Sequence, residues 1–252
     1  MVRRQLLYLV LFSILSCSKA PETDHKTQYT LNCILQPQQP VRAELSRTFT
    51  NPRKPEGPIT TARVILSRNQ TQGDTMSLGS DQAFTSDLAT NRGSNFYIHA
   101  ELDNQVQLAA STYIPKPLLL EITNSTNNNG RLVYEIRITS DDILAEKLFL
   151  RYQAYPKDSS NGDAALTSVE LDDYLKASPF FTLPGRSNTT LTFRSDRAIS
   201  HKFTLMSEEI FNYLKREEVF NPVVDGTPPP ITPNNVSGGA GFFGFYDEYI
   251  VK

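Results

Sequence analysis

Four pairs of neighbouring carboxylates are the first residues that could do chemistry: Asp141-Asp142, Asp172-Asp173, Glu208-Glu209 and Glu217-Glu218. Paired acids act as general acid and base when they flank one bond from separate elements. Neighbours in sequence do not meet that need, because adjacent side chains point to opposite faces of a strand and diverge on a helix. The pairs are expected to be solvated surface charge and helix-start charge. His25, His99 and His201 are scattered and read as surface or core residues. Asp158-Ser159-Ser160-Asn161-Gly162-Asp163 has the composition of a calcium loop, but the acid that EF-hand spacing requires further on is missing, so a metal in residues 156–163 stays an open hint. The G-x-S-x-G elbow, H-E-x-x-H, the P-loop and a dinucleotide fingerprint after a strand are absent. Gly238-Gly239-Ala240-Gly241 leads into a strand pattern, so no helix dipole is expected there for a phosphate. No catalytic, cofactor-binding or metal-binding residue is assigned, and the expectation is a protein that is not an enzyme and carries no cofactor.

The two cysteines carry a clearer signal. Met1-Val2-Arg3-Arg4 precedes an apolar run that ends in Ile14-Leu15-Ser16-Cys17. A basic n-region and a short apolar h-region make a secretory signal, and the run is shorter than the roughly 20 residues a membrane-spanning helix needs. Its end resembles the lipobox of bacterial lipoproteins, whose cysteine takes a diacylglycerol on its thiol and becomes the new N-terminus. Residues 1–16 are therefore read as a lipoprotein signal peptide, Cys17 as the lipidation site, and membrane lipid as a partner through that acylation. Two or three acyl chains anchor stably where one does not. Cleavage would leave 23 basic against 27 acidic side chains, a balance with no electrostatic footprint for nucleic acid. Cys33, in the apolar run Leu31-Asn32-Cys33-Ile34-Leu35, would then have no partner and is read as a buried structural thiol.

The rest of the chain must position whatever surface does the work. Of its 252 residues 39% are hydrophobic and 21% charged, with 16 Pro, 12 Gly and no Trp. That is too apolar for disorder, and short apolar runs set among prolines point to strands and loops. Residues 18–27 are polar and patternless and read as a tether. Strand patterns follow at 29–35, 41–46, 61–66, 95–102 and 106–114, a spacing that suits a small β-sandwich. Pro115-Lys116-Pro117 breaks any ladder and marks a domain boundary. Beyond it, strands are predicted at 118–123, 132–139, 148–154, 189–194 and 201–206, with a polar turn at 124–130. A short helix is predicted at 168–176 and a clearer one at 207–216, where a Ser cap, Glu208-Glu209 and Lys215-Arg216 suit the macrodipole. Ile210, Phe211, Tyr213 and Leu214 are its expected core stripe. Residues 221–241 read as a long loop.

The chain closes on Phe242-Phe243-Gly244-Phe245-Tyr246, four aromatics in five positions. Such a cluster can stack on sugar rings or simply pack. Alternation sends Phe243 and Phe245 to one face and Phe242 and Tyr246 to the other, so a structural strand is the expectation. The Asn-x-Ser/Thr patterns at Asn69, Asn124, Asn188 and Asn235 are read as turn composition.

The order of these pieces resembles lipoproteins of the Bacteroidota gathered as domain-of-unknown-function family 4249. The likeness rests on four stretches besides the lipobox: the strand from Leu31 to Pro37 with its successor ending Leu45-Ser46-Arg47-Thr48; Ala62-Arg63-Val64-Ile65-Leu66; Ala110-Ser111-Thr112-Tyr113-Ile114-Pro115; and Leu205-Met206-Ser207-Glu208-Glu209-Ile210-Phe211 with Asn235-Val236-Ser237-Gly238-Gly239 and the closing aromatics. Little beyond strand rhythm matches in residues 124–185. The resemblance implies an outer-membrane lipoprotein often encoded near TonB-dependent receptors. Only the role of Cys17 carries over.

The expectation is thus an all-β chain of two β-domains: a transthyretin- or immunoglobulin-like sandwich at 28–115, and a second β-domain at 117–252 with one or two short helices. In function it is expected to be a non-enzymatic cell-envelope lipoprotein, lipid-anchored in the outer membrane and serving a TonB-dependent transporter as an accessory or ligand-binding protein. An adhesion or envelope-structural lipoprotein would share this architecture, and a carbohydrate-active enzyme is the least favoured reading.

Overall fold

Leu148, Leu150, Tyr152 and Ala154 are all buried, while Phe149, Arg151 and Gln153 between them are not. This period of two recurs along most of the chain and makes an all-β fold. The computed structural model describes residues 28–48, 58–102, 106–128, 131–156, 170–171, 178–195, 199–219 and 234–251.

The strands before the proline linker are β1 (Gln28–Leu35), β2 (Val41–Thr48), β3 (Ala62–Arg68), β4 (Gln72–Thr75), β5 (Ser77–Leu78), β6 (Phe84–Ser86), β7 (Ser94–Leu102) and β8 (Gln107–Ile114). After it come β9 (Leu119–Asn128), β10 (Arg131–Asp141), β11 (Lys147–Pro156), β12 (Glu170–Leu171), β13 (Phe180–Pro184), β14 (Arg186–Ser195), β15 (Ile199–Met206), helix α1 (Glu208–Val219) and β16 (Ala240–Val251). Each half has a four-stranded sheet of its own, β4-β3-β7-β8 in the first and β12-β14-β10-β9 in the second. The other strands of both halves join in one eight-stranded sheet, β13-β11-β15-β16-β1-β2-β6-β5. The seam is the parallel pair β1–β16, from Thr30↔Ala240 to Leu35↔Phe245, so the two halves share a sheet and one continuous hydrophobic core. At the seam Gly241 adopts φ +113, and a Cβ there would overlap the Leu31 carbonyl, so only glycine lets these two strands close up.

Two expectations change locally. Residues 124–128 continue β9 instead of forming a turn, because Asn124 to Asn128 pair with Glu135 to Arg131. Main-chain pairing outweighs the turn preference of asparagine on a solvent-facing edge. In the segment predicted as a short helix at 168–176, Glu170 and Leu171 pair with Arg194 and Phe193 as β12, and the neighbouring positions lie outside the described residues.

Two buried carboxylates clamp the linker. Asp142 is fully buried and accepts hydrogen bonds from Lys116 N–H (2.7 Å), Tyr113 Oη (2.8 and 2.9 Å), Leu144 N–H (2.9 Å) and Ala145 N–H (3.2 Å). Burial pushes its pKa up, but these donors outweigh burial and hold the carboxyl below the usual aspartate range. Tyr113 is pushed up, by burial first and then by the carboxylate it faces. This corrects the expectation that Asp141-Asp142 is solvated charge: Asp141 is exposed, whereas Asp142 follows Ile136, Ile138 and Ser140 on the inward face. On the other side of the linker, Asp247 takes a bidentate pair from Arg92 (2.6 and 2.8 Å) and a bond from Tyr249 Oη (2.7 Å). Tyr249 Oη in turn accepts Leu118 N–H at 3.2 Å. The main chain at Lys116 and Leu118 is therefore held on both sides of Pro117.

Candidate binding groove

The closing aromatics divide as alternation predicts. Phe243 and Phe245 are 0% and 3% exposed and face the core, while Phe242 and Tyr246 stand half-buried on the opposite, outer face. Between them Gly244 leaves the space where α1 sits, since a Cβ there would overlap Ser207 Oγ and come within 3.1 Å of Ile210 Cδ1. Helix α1 starts where predicted. The Ser207 carbonyl accepts Phe211 N–H (3.0 Å), and Ser207 N–H donates to the Phe245 carbonyl (3.0 Å). The expected serine side-chain cap does not form: Ser207 Oγ is buried and has no partner among the described residues. Glu208 and Glu209 in the first turn and Arg216 in the last complement the macrodipole. Of the predicted stripe, Ile210 and Phe211 are buried against Phe180 and Met206. Tyr213 and Leu214 are only half-buried.

Those two side chains form one wall of a groove of about 520 Å³ between α1 and the outer face of the shared sheet. Its floor includes Phe242, Tyr246, Arg151 and Lys202. Strand register places these groups, because Arg151 lies opposite Thr204, and Thr204 opposite Glu248, on adjacent strands. Lys202 Nζ is paired with Glu248 at 2.6 Å, and the Arg151 guanidinium lies 5.4 Å from the Phe180 ring centroid. Across Phe242, Tyr246 and Ile34 the groove runs into a smaller hollow of about 320 Å³, edged by Asn32 and the ion pairs of Arg42 with Glu44 (3.0 Å) and Asp81. Aromatic faces beside fixed, mutually neutralised charges suit stacking and hydrogen bonding to a ligand.

The predicted site residues fall elsewhere. Cys17, residues 158–163, Asp172-Asp173 and His25 lie outside the described residues. Cys33 is buried in β1, as expected of a structural thiol, and burial pushes its pKa up. His99 is half-exposed on β7, 3.9 Å from Glu101. His201 is fully buried among the rings of Tyr134, Tyr152 and Phe193, with its Nδ1 3.0 Å from Tyr152 Oη. Burial lowers its pKa to about 4, so it is a neutral core imidazole near neutral pH. Asn235 carries a sequon pattern but works structurally: its side chain accepts Phe243 N–H and donates to the Phe243 carbonyl, both at 2.8 Å. Among the described residues no group of three or more His, Cys, Asp or Glu is placed to hold a metal. Arg151, Lys202 and Glu248 were not singled out by sequence, and Tyr213 was read only as part of the core stripe. The available signal was their phase, since Arg151 alternates with the core residues Leu150 and Tyr152, and Lys202 with His201 and Phe203.

No curated protein matches the chain. A family model described as a domain of unknown function (DUF4249) matches residues 18–249, nearly all of the sequence, and the chain belongs to that family.

Proposed function

We propose that this chain is a non-enzymatic, lipid-anchored protein of the bacterial outer membrane that binds a ligand or partner as an accessory of a TonB-dependent transporter. The observation that carries the binding reading is the outward row of Phe242 and Tyr246 beside α1. Tyr246 also packs against the Phe180, Met206, Ile210 and Phe211 cluster under α1, whereas Phe242 belongs to neither hydrophobic cluster of the described residues and is the ring that closing the sheet does not use. The lipobox ending in Cys17 supports the anchor. The buried ionisable groups Asp142, Asp247 and His201 are engaged in fixing the linker and the core, which favours a binding module over a catalyst. Two measurements test this. Labelling of cells with an alkyne palmitate should mark the wild type and be lost in Cys17→Ala; label retained on the variant refutes the anchor. Affinity purification from gently solubilised membranes should recover a TonB-dependent receptor; recovery of matrix or polysaccharide alone would favour adhesion instead.

A further inference from the structure

Among the described residues, strand β8 is the free edge of the sheet β4-β3-β7-β8. The phase of its ladder is fixed where Leu102 N–H donates to the Val106 carbonyl at 3.0 Å. Hydrogen-bonded pairs alternate along an antiparallel ladder, so Leu108, Ala110 and Thr112 direct their main-chain groups to Ala100, Ile98 and Phe96 of β7. The odd-numbered residues direct theirs outward. Ala109 shows this, because its N–H and carbonyl both bond Ser237, at 3.1 and 2.8 Å. Ser111 and Tyr113, further along the same edge, present the same outward N–H and carbonyl, and none of the described main-chain or side-chain hydrogen bonds takes them.

This open edge faces a second cleft, at the waist between the two halves. The cleft is about 520 Å³ and is lined by Ser111, Thr112 and Tyr113 on one side and by the start of β11 and of α1 on the other. Leu148 and Phe245 on its walls are buried, and Leu144 at its lip is 66% exposed. Exposed strand edges are normally blunted by charge, proline or cover. Here Ser237 covers one end and Pro115 ends the other, leaving about one strand-pairing unit in between. The lining side chains are three acids, Glu146, Glu208 and Glu209, against one base, Lys147. The N-terminus of α1 offsets roughly half a unit of negative charge, so the rim remains negative.

We propose that this cleft accepts an extended, basic segment of a partner polypeptide, which adds as a strand to β8 at Ser111 and Tyr113. Main-chain hydrogen bonds would supply the docking, and the acidic rim would select lysine or arginine at alternate positions. Only the identity of the partner rests on the accessory reading above; the binding is read on the purified chain alone.

The test uses the full chain in detergent and a pool of acetylated pentapeptide amides of the form Lys-X-Lys-X-Lys, with X as Ala, Val, Thr or Phe. Two further pools carry N-methyl groups, one on the X residues and one on the Lys residues. Strand addition uses one edge of the guest, so one methylated pool should bind like the parent and the other should lose at least about tenfold in affinity. Replacing Lys by Glu in the parent pool should weaken binding by a similar factor, and Glu208→Gln with Glu209→Gln should blunt that preference while lowering the melting temperature by only a few degrees, through the lost macrodipole interaction. Amide exchange at Ser111 and Tyr113 should slow on binding. Equal binding of both methylated pools, or no binding of the parent pool at millimolar concentration, overturns the proposal. Neither result depends on whether a transporter is recovered from membranes.

Discussion

Asp142→Asn is nearly isosteric, yet it should be among the most damaging single changes outside the apolar core. The carboxylate receives Lys116 N–H on Oδ2, and Leu144 and Ala145 N–H on Oδ1, with Tyr113 Oη against both. An asparagine keeps one acceptor oxygen and turns an NH₂ group toward the other set of donors. Either amide orientation therefore leaves at least one backbone N–H buried against a donor. Hydrogen bonds to a charged group contribute about 1.5–3 kcal/mol each, and a stranded buried donor costs about 1–3 kcal/mol. Allowing for relaxation, the expected loss is about 3–5 kcal/mol, or a melting temperature lower by roughly 6–20 °C for a chain of this size. The pH dependence adds a second constraint. Because the folded pKa of Asp142 is depressed, its contribution is fully present above the unfolded aspartate value of about 3.9 and is lost as pH falls through the lower folded value. Calorimetry or thermal circular dichroism should show a large gap between wild type and variant at pH 7 that narrows below pH ~4. Hydrogen exchange should also show faster opening at Lys116 and Leu118. A loss under about 1 kcal/mol, or a gap of the same size at pH 7 and pH 3, would refute the clamp.

Other predictions concern the shared sheet and its helix. Phe243→Ala and Phe245→Ala should each cost about 3–5 kcal/mol, whereas Phe242→Ala, on the outer face, should cost under about 1.5 kcal/mol; thermal melts compare the three. Gly244→Ala should lower stability by about 1–3 kcal/mol, because the added methyl meets Ser207 and Ile210 under α1, and near-ultraviolet dichroism of the Phe149, Phe180 and Phe211 cluster should weaken with it. His201 binds its proton only near pH 4 when folded but near 6.5 when unfolded, so wild-type stability should fall by up to about 3 kcal/mol as pH drops across that window. The paired change His201→Phe with Tyr152→Phe, which removes both ends of their hydrogen bond, should flatten that slope.

Much of the strand pattern is legible because the core reads as period two. Val41, Ala43 and Leu45, or Leu148, Leu150 and Tyr152, announce both their strand and its buried face. β13, Phe-Phe-Thr-Leu-Pro, went unread although it is apolar, and the other strands that went unread are short and largely polar: β4 is Gln-Gly-Asp-Thr, β5 only Ser-Leu, β6 Phe-Thr-Ser. Nothing local marks such segments, since a neighbouring strand decides them by pairing. The parallel seam between β1 and β16 is illegible for a different reason. Its strands come from opposite ends of the chain, and a pattern that fixes which face is buried says nothing about which strand lies alongside.

The same period would have located the clamps, had it been followed past the last apolar residue. Ile136 and Ile138 face the core, so Ser140 and Asp142 must do so too; Phe243 and Phe245 do, and Asp247 follows them. An acid in phase with core residues at the end of a strand is a buried acid, and a buried acid needs donors. Here the donors come from the linker and its flanks, and this gives the two carboxylates a consequence beyond stability. Without the clamps at Lys116 and Leu118, the proline linker alone would join β8 to β9 on that side of the molecule, and β8 could shift against the start of α1. With both clamps made, Tyr113 is fixed through its own hydroxyl to Asp142, and its outward main-chain groups hold a set distance from Glu208 and Glu209. The waist cleft and the groove beside Phe242 are thus built on one rigid frame, the first on a free strand edge and the second on a sheet face. A sheet face can be read from side-chain alternation, whereas a free edge is made of main chain that every residue carries, which is why the aromatic row was visible in the sequence and the open edge of β8 was not.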